Sequence, residues 1–270
     1  MIDAVDPRLD AFEALTGFWE EAGLESLPAL GPAPSARDAA PAFEQIRLPP
    51  PSTPSRRRSD PVADARQLAA AAGDLTALAA AIAAFDGCSL KKGSRRTVFA
   101  DGIAGAPVMV VGEAPGTEDD ELGRPFLGPP GKLMDKMLAA IGLSRTANVF
   151  LTNVVFWRPP GARTPTQGEI AACLPFVERA IQLARPKVLI LAGGLAAEAV
   201  LKRTEGVMKL RGRRLKHVYP ELTEPLNAMV MLDPVYLLKH RRQDKALAWA
   251  DLIALEAWLA ELGVETHRPV

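Results

Sequence analysis

The pattern of apolar and polar positions changes period several times along the 270-residue chain. Leu9, Phe12, Leu15 and Trp19 recur at intervals of three and four after Asp6-Pro7, which predicts an amphipathic helix over 8–22 that ends near Gly23. Periodicity then disappears from 28 to 61, and helical spacing returns over 62–85, where Asp74 is placed to cap a second piece after Gly73. Thr97–Phe99 reads as strand-like, and short apolar, β-branched runs at 107–111, 148–155, 186–192 and 227–232 predict four buried strands. Helices are predicted between and after them. At 130–141, Leu133, Met134, Met137, Leu138 and Ile141 share one face and Gly142 ends the turn. At 167–183, Thr166 and Glu169 form a capping box. A short helix follows at 195–202, and a final one at 241–262 carries Leu247, Trp249, Leu252, Leu255 and Trp258 toward the core.

Strands alternating with helices of ten or more residues imply an α/β fold: a three-layer α/β/α sandwich around a central, mostly parallel four-stranded sheet. The expected organisation is an amphipathic N-terminal helix in 1–27, a Pro/Ala/Ser-rich linker in 28–61 and a globular domain from 62 to 270. The N-terminal helix either docks on that domain or recruits a protein partner through Phe12, Phe18 and Trp19. The linker, with Pro49-Pro50-Pro51 and Arg56-Arg57-Arg58, lacks the apolar surface to offset its ordering entropy. In parallel α/β sheets ligands sit outside the carboxyl ends of the strands. Four Gly-, Pro- or polar-rich segments converge there: Gly112–Gly116, Asn153–Arg158, Gly193-Gly194 and Asp233–Tyr236.

Composition narrows the function classes. The formal net charge is zero and the pI about 6.9, so any nucleic-acid surface must be local; Lys209–Lys216 and Lys239–Arg242 are the basic clusters that could supply it. His240, inside the second cluster, fits a phosphate contact or a solvated face. Two cysteines argue against a disulfide framework, and Met1–Asp6 lacks the basic and apolar regions of a signal peptide, so a cytoplasmic protein is expected. The Ala-rich stretch 69–84 is broken by Gly73 and Asp74, and no membrane span is expected. Gly112 and Gly116 after a strand suggest a phosphate loop, but the Gly-Lys-Ser/Thr ending and the three-glycine dinucleotide spacing are missing. No HExxH, zinc-spaced Cys/His cluster or Gly-x-Ser-x-Gly elbow is present, and no metal site is expected.

Taken in order, several motifs do match a known pattern. They are Gly112-Glu113-Ala114-Pro115-Gly116, Gly123–Gly128 around Phe126, Thr152-Asn153, Arg158–Pro165 with Arg163, Arg211-Gly212, and Asp233–Leu238. From about Phe85 to about Leu259 the chain resembles the uracil-DNA glycosylase superfamily, closest to its iron–sulfur (family 4) type. That resemblance implies a DNA-repair hydrolase that flips uracil out of DNA and cleaves its N-glycosidic bond as a monomer. Phe126 is then the stacking aromatic, Asn153 the amide that pairs with the uracil edge, and Gly112 and Ala114 part of the base pocket. Glu113 and Asp233 are the candidate catalytic carboxylates. Arg158, Arg163, Arg211, Lys239 and Arg241 are the expected DNA contacts, and Leu237 or Leu238 is either an intercalating wedge or a core pair. Alternatively, Phe126 is a core aromatic, Asn153 a strand cap and Glu113 a loop carboxylate bonded to backbone amides.

Two departures from the family pattern matter. The iron–sulfur branch ligates its cluster through four cysteines. Here only Cys88 and Cys173 remain, with Phe85 and Trp157 at the other two positions. No cluster and no cofactor is expected; the two aromatic rings should plug the vacated volume and bring the thiols together. The second departure is Asp233-Pro234 where relatives usually carry His-Pro. An ionised Asp233 can stabilise a sugar cation or orient water, whereas a protonated one can donate to the base. The competing expectation is a catalytically degenerate relative that binds DNA or serves a polymerase.

Overall fold

The computed structural model describes residues 60–219, 224–239 and 242–266. The expected N-terminal helix, nearly all of the linker, His240 and Arg241 lie outside those residues. Asp60 accepts from Val62 N at 3.0 Å and, with Pro61 in first position, opens α1 (Pro61–Ala71). The chain breaks at 72–74, and Asp74 caps α2 (Leu75–Ala84) by accepting from Ala77 N at 2.7 Å. A 3-10 turn (Ser89–Gly93) leads to β1 (Ala100–Gly102), β2 (Val108–Gly112), α3 (Thr117–Leu122), α4 (Gly128–Ala139) and β3 (Val149–Asn153). Then come α5 (Gln167–Ala184), β4 (Val188–Ala192), α6 (Gly194–Leu201), α7 (Val207–Leu210), β5 (Leu215–His217), β6 (Leu226–Met231), α8 (Pro234–Lys239) and α9 (Arg242–Glu261). The capping box of α5 is formed, with Thr166 N donating to Glu169 at 2.8 Å and Glu169 N to Thr166 at 3.3 Å.

The sheet order is β1-β3-β2-β4-β6-β5. β3, β2, β4 and β6 are parallel, as the sequence predicts. The sheet has six strands rather than four, because β1 and β5 add antiparallel edges. Each is three residues long and carries polar residues, too little for a periodic signal; both are held by pairing to a neighbour already buried. The strand-like Thr97–Phe99 precedes the edge: Val98 N reaches Phe156 O at 2.8 Å, but the ladder begins at Ala100 opposite Thr152.

Alternation along the central strands divides the core. Met109, Val111, Leu189, Leu191, Ala228 and Val230 pack with residues of α1, α2, α5 and α6. Val108, Val110, Val188, Ile190, Met229 and Met231 pack with those of α4, α8 and α9. Both faces being covered, these strands are apolar without a polar side. Parallel register sets Gly112 beside Asn153 and Ala192 beside Met231, which brings the strand ends level at one edge. Among the described residues, no helix is long and apolar enough to cross a membrane.

Candidate functional site

The carboxyl ends of the central strands open into a cavity of about 590 Å³. Glu113 and Ala114 line it from β2, Asn153 from β3, Gly193-Gly194 from β4 and Asp233–Tyr236 from β6, with Phe126 brought in by the loop between α3 and α4. All four expected segments therefore meet, although only Asn153 represents the stretch Asn153–Arg158.

Asn153 ends β3 and is 3% exposed. Its Nδ2 has no hydrogen-bond partner, so a buried amide donor beside the cavity is left for a ligand acceptor. Gly112 lies alongside: a Cβ there would come within 2.4 Å of Asn153 Oδ1 and 2.6 Å of Phe126 Cζ. Only glycine lets the amide and the ring close on the same strand end. Phe126 belongs to the core layer of α4, α8 and α9 and also borders the cavity. Its ring lines the cavity and its backbone is left-handed at φ 56°, a conformation that costs a non-glycine residue about 1 to 3 kcal/mol and persists only when its surroundings hold it.

Two carboxylates stand on the same cavity. Glu113 Oε1 accepts from Leu195 N at 3.1 Å, at the start of α6, and lies against Gly193, whose φ of 107° and lack of a side chain make room for it. Burial and then the charge of Asp233 raise its pKa to about 7. Asp233 Oδ1 caps α8, accepting from Val235 N at 2.7 Å and Tyr236 N at 3.3 Å, with Pro234 in the first helical position. Burial raises its pKa to about 6 against the pull of those amides and of Lys239. Asp233 thus ionises first, and its charge then helps to keep the proton on Glu113.

An unpartnered amide and an aromatic residue thus line one cavity at the ends of parallel strands. Residues 99–253 match the Uracil DNA glycosylase superfamily. The Type-4 uracil-DNA glycosylase of Pyrobaculum aerophilum is 41% identical over 141 residues, covering 52% of this chain and 68% of that protein. The chain belongs to the uracil-DNA glycosylase superfamily, in its type-4 branch. Further Type-4 uracil-DNA glycosylases are similar: that of Sulfurisphaera tokodaii is 37% identical over 139 residues, covering 50% of this chain and 63% of the relative. That of Thermotoga maritima is 32% identical over 158 residues, covering 58% and 79%.

The cationic residues of this type-4 chain divide. Lys239 is exposed and lines the cavity. Arg163 also lines it but forks onto Glu169 through two 2.8 Å bonds, and this pairing is the main reason the Glu169 carboxyl falls to about 2. The Arg158 residue is half-buried, its carbonyl accepting from Ser94 Oγ at 3.3 Å. Arg211 turns inward, its guanidinium 2.7 and 3.0 Å from the two oxygens of Asp251 and also bonded to Leu247 O. Of the two leucines after Asp233-Pro234, Leu237 is fully buried and Leu238 packs against the core, so they form a core pair; Val235 is the exposed apolar residue at the cavity.

Cys88 and Cys173 are both buried, and the neighbouring Cys173 thiol is the main reason the Cys88 pKa is lowered. Phe85 packs edge-on to Phe176 at 5.1 Å and Trp157 to Phe156 at 6.1 Å, while Trp157 Nε1 donates to Thr97 Oγ1 at 3.1 Å.

Sequence reasoning missed two residues that shape the cavity. Asp119 is buried and accepts from Gly116 N at 3.0 Å and Leu127 N at 2.7 Å, tying the start of α3 to the residue before α4. Its place three residues after Gly116, at the start of a helix, was the available signal. Arg145 carried none, since its partners are Asp101, Asp135 and the Pro125 and Phe126 carbonyls.

Proposed function

We propose that this chain excises uracil from DNA by flipping the nucleotide into the cavity and hydrolysing its N-glycosidic bond. The observation that carries the reading is the buried, unpartnered Nδ2 of Asn153 beside the Phe126 ring. One amide offers a donor to uracil O4 and an acceptor to N3–H, while the ring stacks on the base face. As the glycosidic bond breaks, its electron pair leaves with the base and positive charge grows on the sugar. Asp233, ionised above about pH 6, stabilises that cation and orients the water that adds to it. Glu113, protonated up to about pH 7, remains a neutral donor in the cavity. Lys239 and Arg163, with Arg158 and Arg241 as further candidates, contact phosphate without reading sequence.

The same reading takes the enzyme to work without an iron–sulfur cluster. Four thiolates are needed and two cysteines are present, both buried, while Phe85 and Trp157 pack against Phe176 and Phe156. The catalytic unit is taken as residues 62–270, which hold every residue that lines the cavity, and is taken to act as a monomer.

Incubation with uracil-containing and matched thymine oligonucleotides, followed by alkali, tests the activity. Strand breaks at uracil alone are expected. Because Asp233 stands where the family usually has histidine, the competing outcome is DNA bound without breaks at enzyme excess, which would leave a binding module.

A further inference from the structure

We infer that Arg145 is a positioning residue that sets the Phe126 ring for base stacking by clamping the backbone beneath it. The inference rests on the glycosylase reading, but its observations are separate. Arg145 does not line the cavity, and its side chain is only 15% exposed. All three guanidinium nitrogens are engaged: Nε with Asp135 at 2.8 Å, Nη1 with Asp101 at 2.8 Å and with Pro125 O at 3.3 Å, and Nη2 with Phe126 O at 2.8 Å. One planar group thereby ties β1, α4 and the α3–α4 loop together at the residue whose backbone is left-handed.

This arrangement has a chemical logic. The two carboxylates more than balance the cation's charge, and four of its five N–H groups are engaged within the protein, so Arg145 is committed to this cluster and not to a phosphate. What remains of its donor set points at two consecutive carbonyls, a task for a rigid fork and not for a point charge. Asp119 holds the following amide, Leu127 N, from the other side at 2.7 Å. The Phe126 ring then has one place to go, against Gly112 and beside Asn153. Without the Arg145 fork the loop can relax its left-handed residue and carry the ring away from the amide.

The test separates geometry from charge. In Arg145→Lys, an ammonium can still pair with Asp101 or Asp135 but cannot bridge both carboxylates and both carbonyls. Single-turnover excision from a uracil-containing duplex should fall about ten- to a hundred-fold, the scale of misplacing a binding group by an ångström, with duplex affinity within about twofold of wild type. Arg145→Ala should lose at least as much and also lower the melting temperature, while Arg145→Lys keeps most of it. In a Phe126→Ala background, Arg145→Lys should change the rate less than about twofold, because the group it positions is gone. An Arg145→Lys enzyme at the wild-type rate, or the same loss in both backgrounds, overturns the inference. Should wild type bind but not excise, the glycosylase reading fails by itself. The clamp is then read from the fluorescence of 2-aminopurine beside uracil, which Arg145→Lys and Phe126→Ala should alter alike; a wild type with neither signal overturns both.

Discussion

The negative charge of Asp233 bears on Glu113 across the cavity and adds to the burial that holds the Glu113 proton to about pH 7. Asp233 itself ionises near pH 6, so there is a window in which one carboxyl is charged and the other neutral. Both pKa values are raised, and the signs follow: activity that needs the Asp233 carboxylate grows as pH rises through about 6, and activity that needs protonated Glu113 declines as pH rises through about 7. The rate of excision should trace a narrow bell whose limbs belong to the interacting pair. Asp233→Asn should lose the acid limb and lower the plateau roughly a hundredfold, while Glu113→Gln should lose the alkaline limb. A single-turnover pH profile checks this; a flat profile from about pH 5 to about pH 8 would contradict it.

Gly112→Ala should stop base binding with little loss of fold. The added Cβ would sit 2.4 Å from Asn153 Oδ1 and 2.6 Å from Phe126 Cζ, so one of the two base-holding groups must move. A loss of about a hundredfold in excision is expected, with a near-normal thermal melt. An active Gly112→Ala enzyme would show that the two groups do not act together.

Charge pairing separates the basic residues. Lys239→Ala should weaken DNA binding and reduce the salt slope by about one, since an exposed lysine at the cavity is free to neutralise a phosphate. Arg211→Ala should leave the salt slope unchanged and instead destabilise the fold by about 3 kcal/mol, because it strands the buried Asp251 carboxylate. Binding isotherms at several salt concentrations and denaturant melts distinguish the two.

The purified protein should contain substoichiometric iron and show no visible charge-transfer absorbance, and Cys88→Ser should retain excision. Stoichiometric iron, or activity lost with the cysteine, would mean that the thiols do more than pack.

The central sheet was legible because Val108–Val111 and Val188–Ala192 are buried on both faces, which leaves an unbroken apolar run in the sequence. Edge strands Ala100–Gly102 and Leu215–His217 were not, being short, partly exposed and defined by their neighbours. The cavity was legible in outline because the Gly- and Pro-rich segments mark strand ends. Charge partners were not: Arg211 reads as a surface cation until Asp251, forty residues on, is seen to hold it. Arg145 is silent for the same reason, its partner Asp101 lying 44 residues away.

The most direct measurement is the release of free uracil in a single turnover by wild type and by Asn153→Ala on the same uracil-containing duplex. The account predicts one uracil released per site by wild type and a loss of about a hundredfold or more in the variant, with duplex affinity retained. Equal release by the two proteins, or none by wild type, would contradict it.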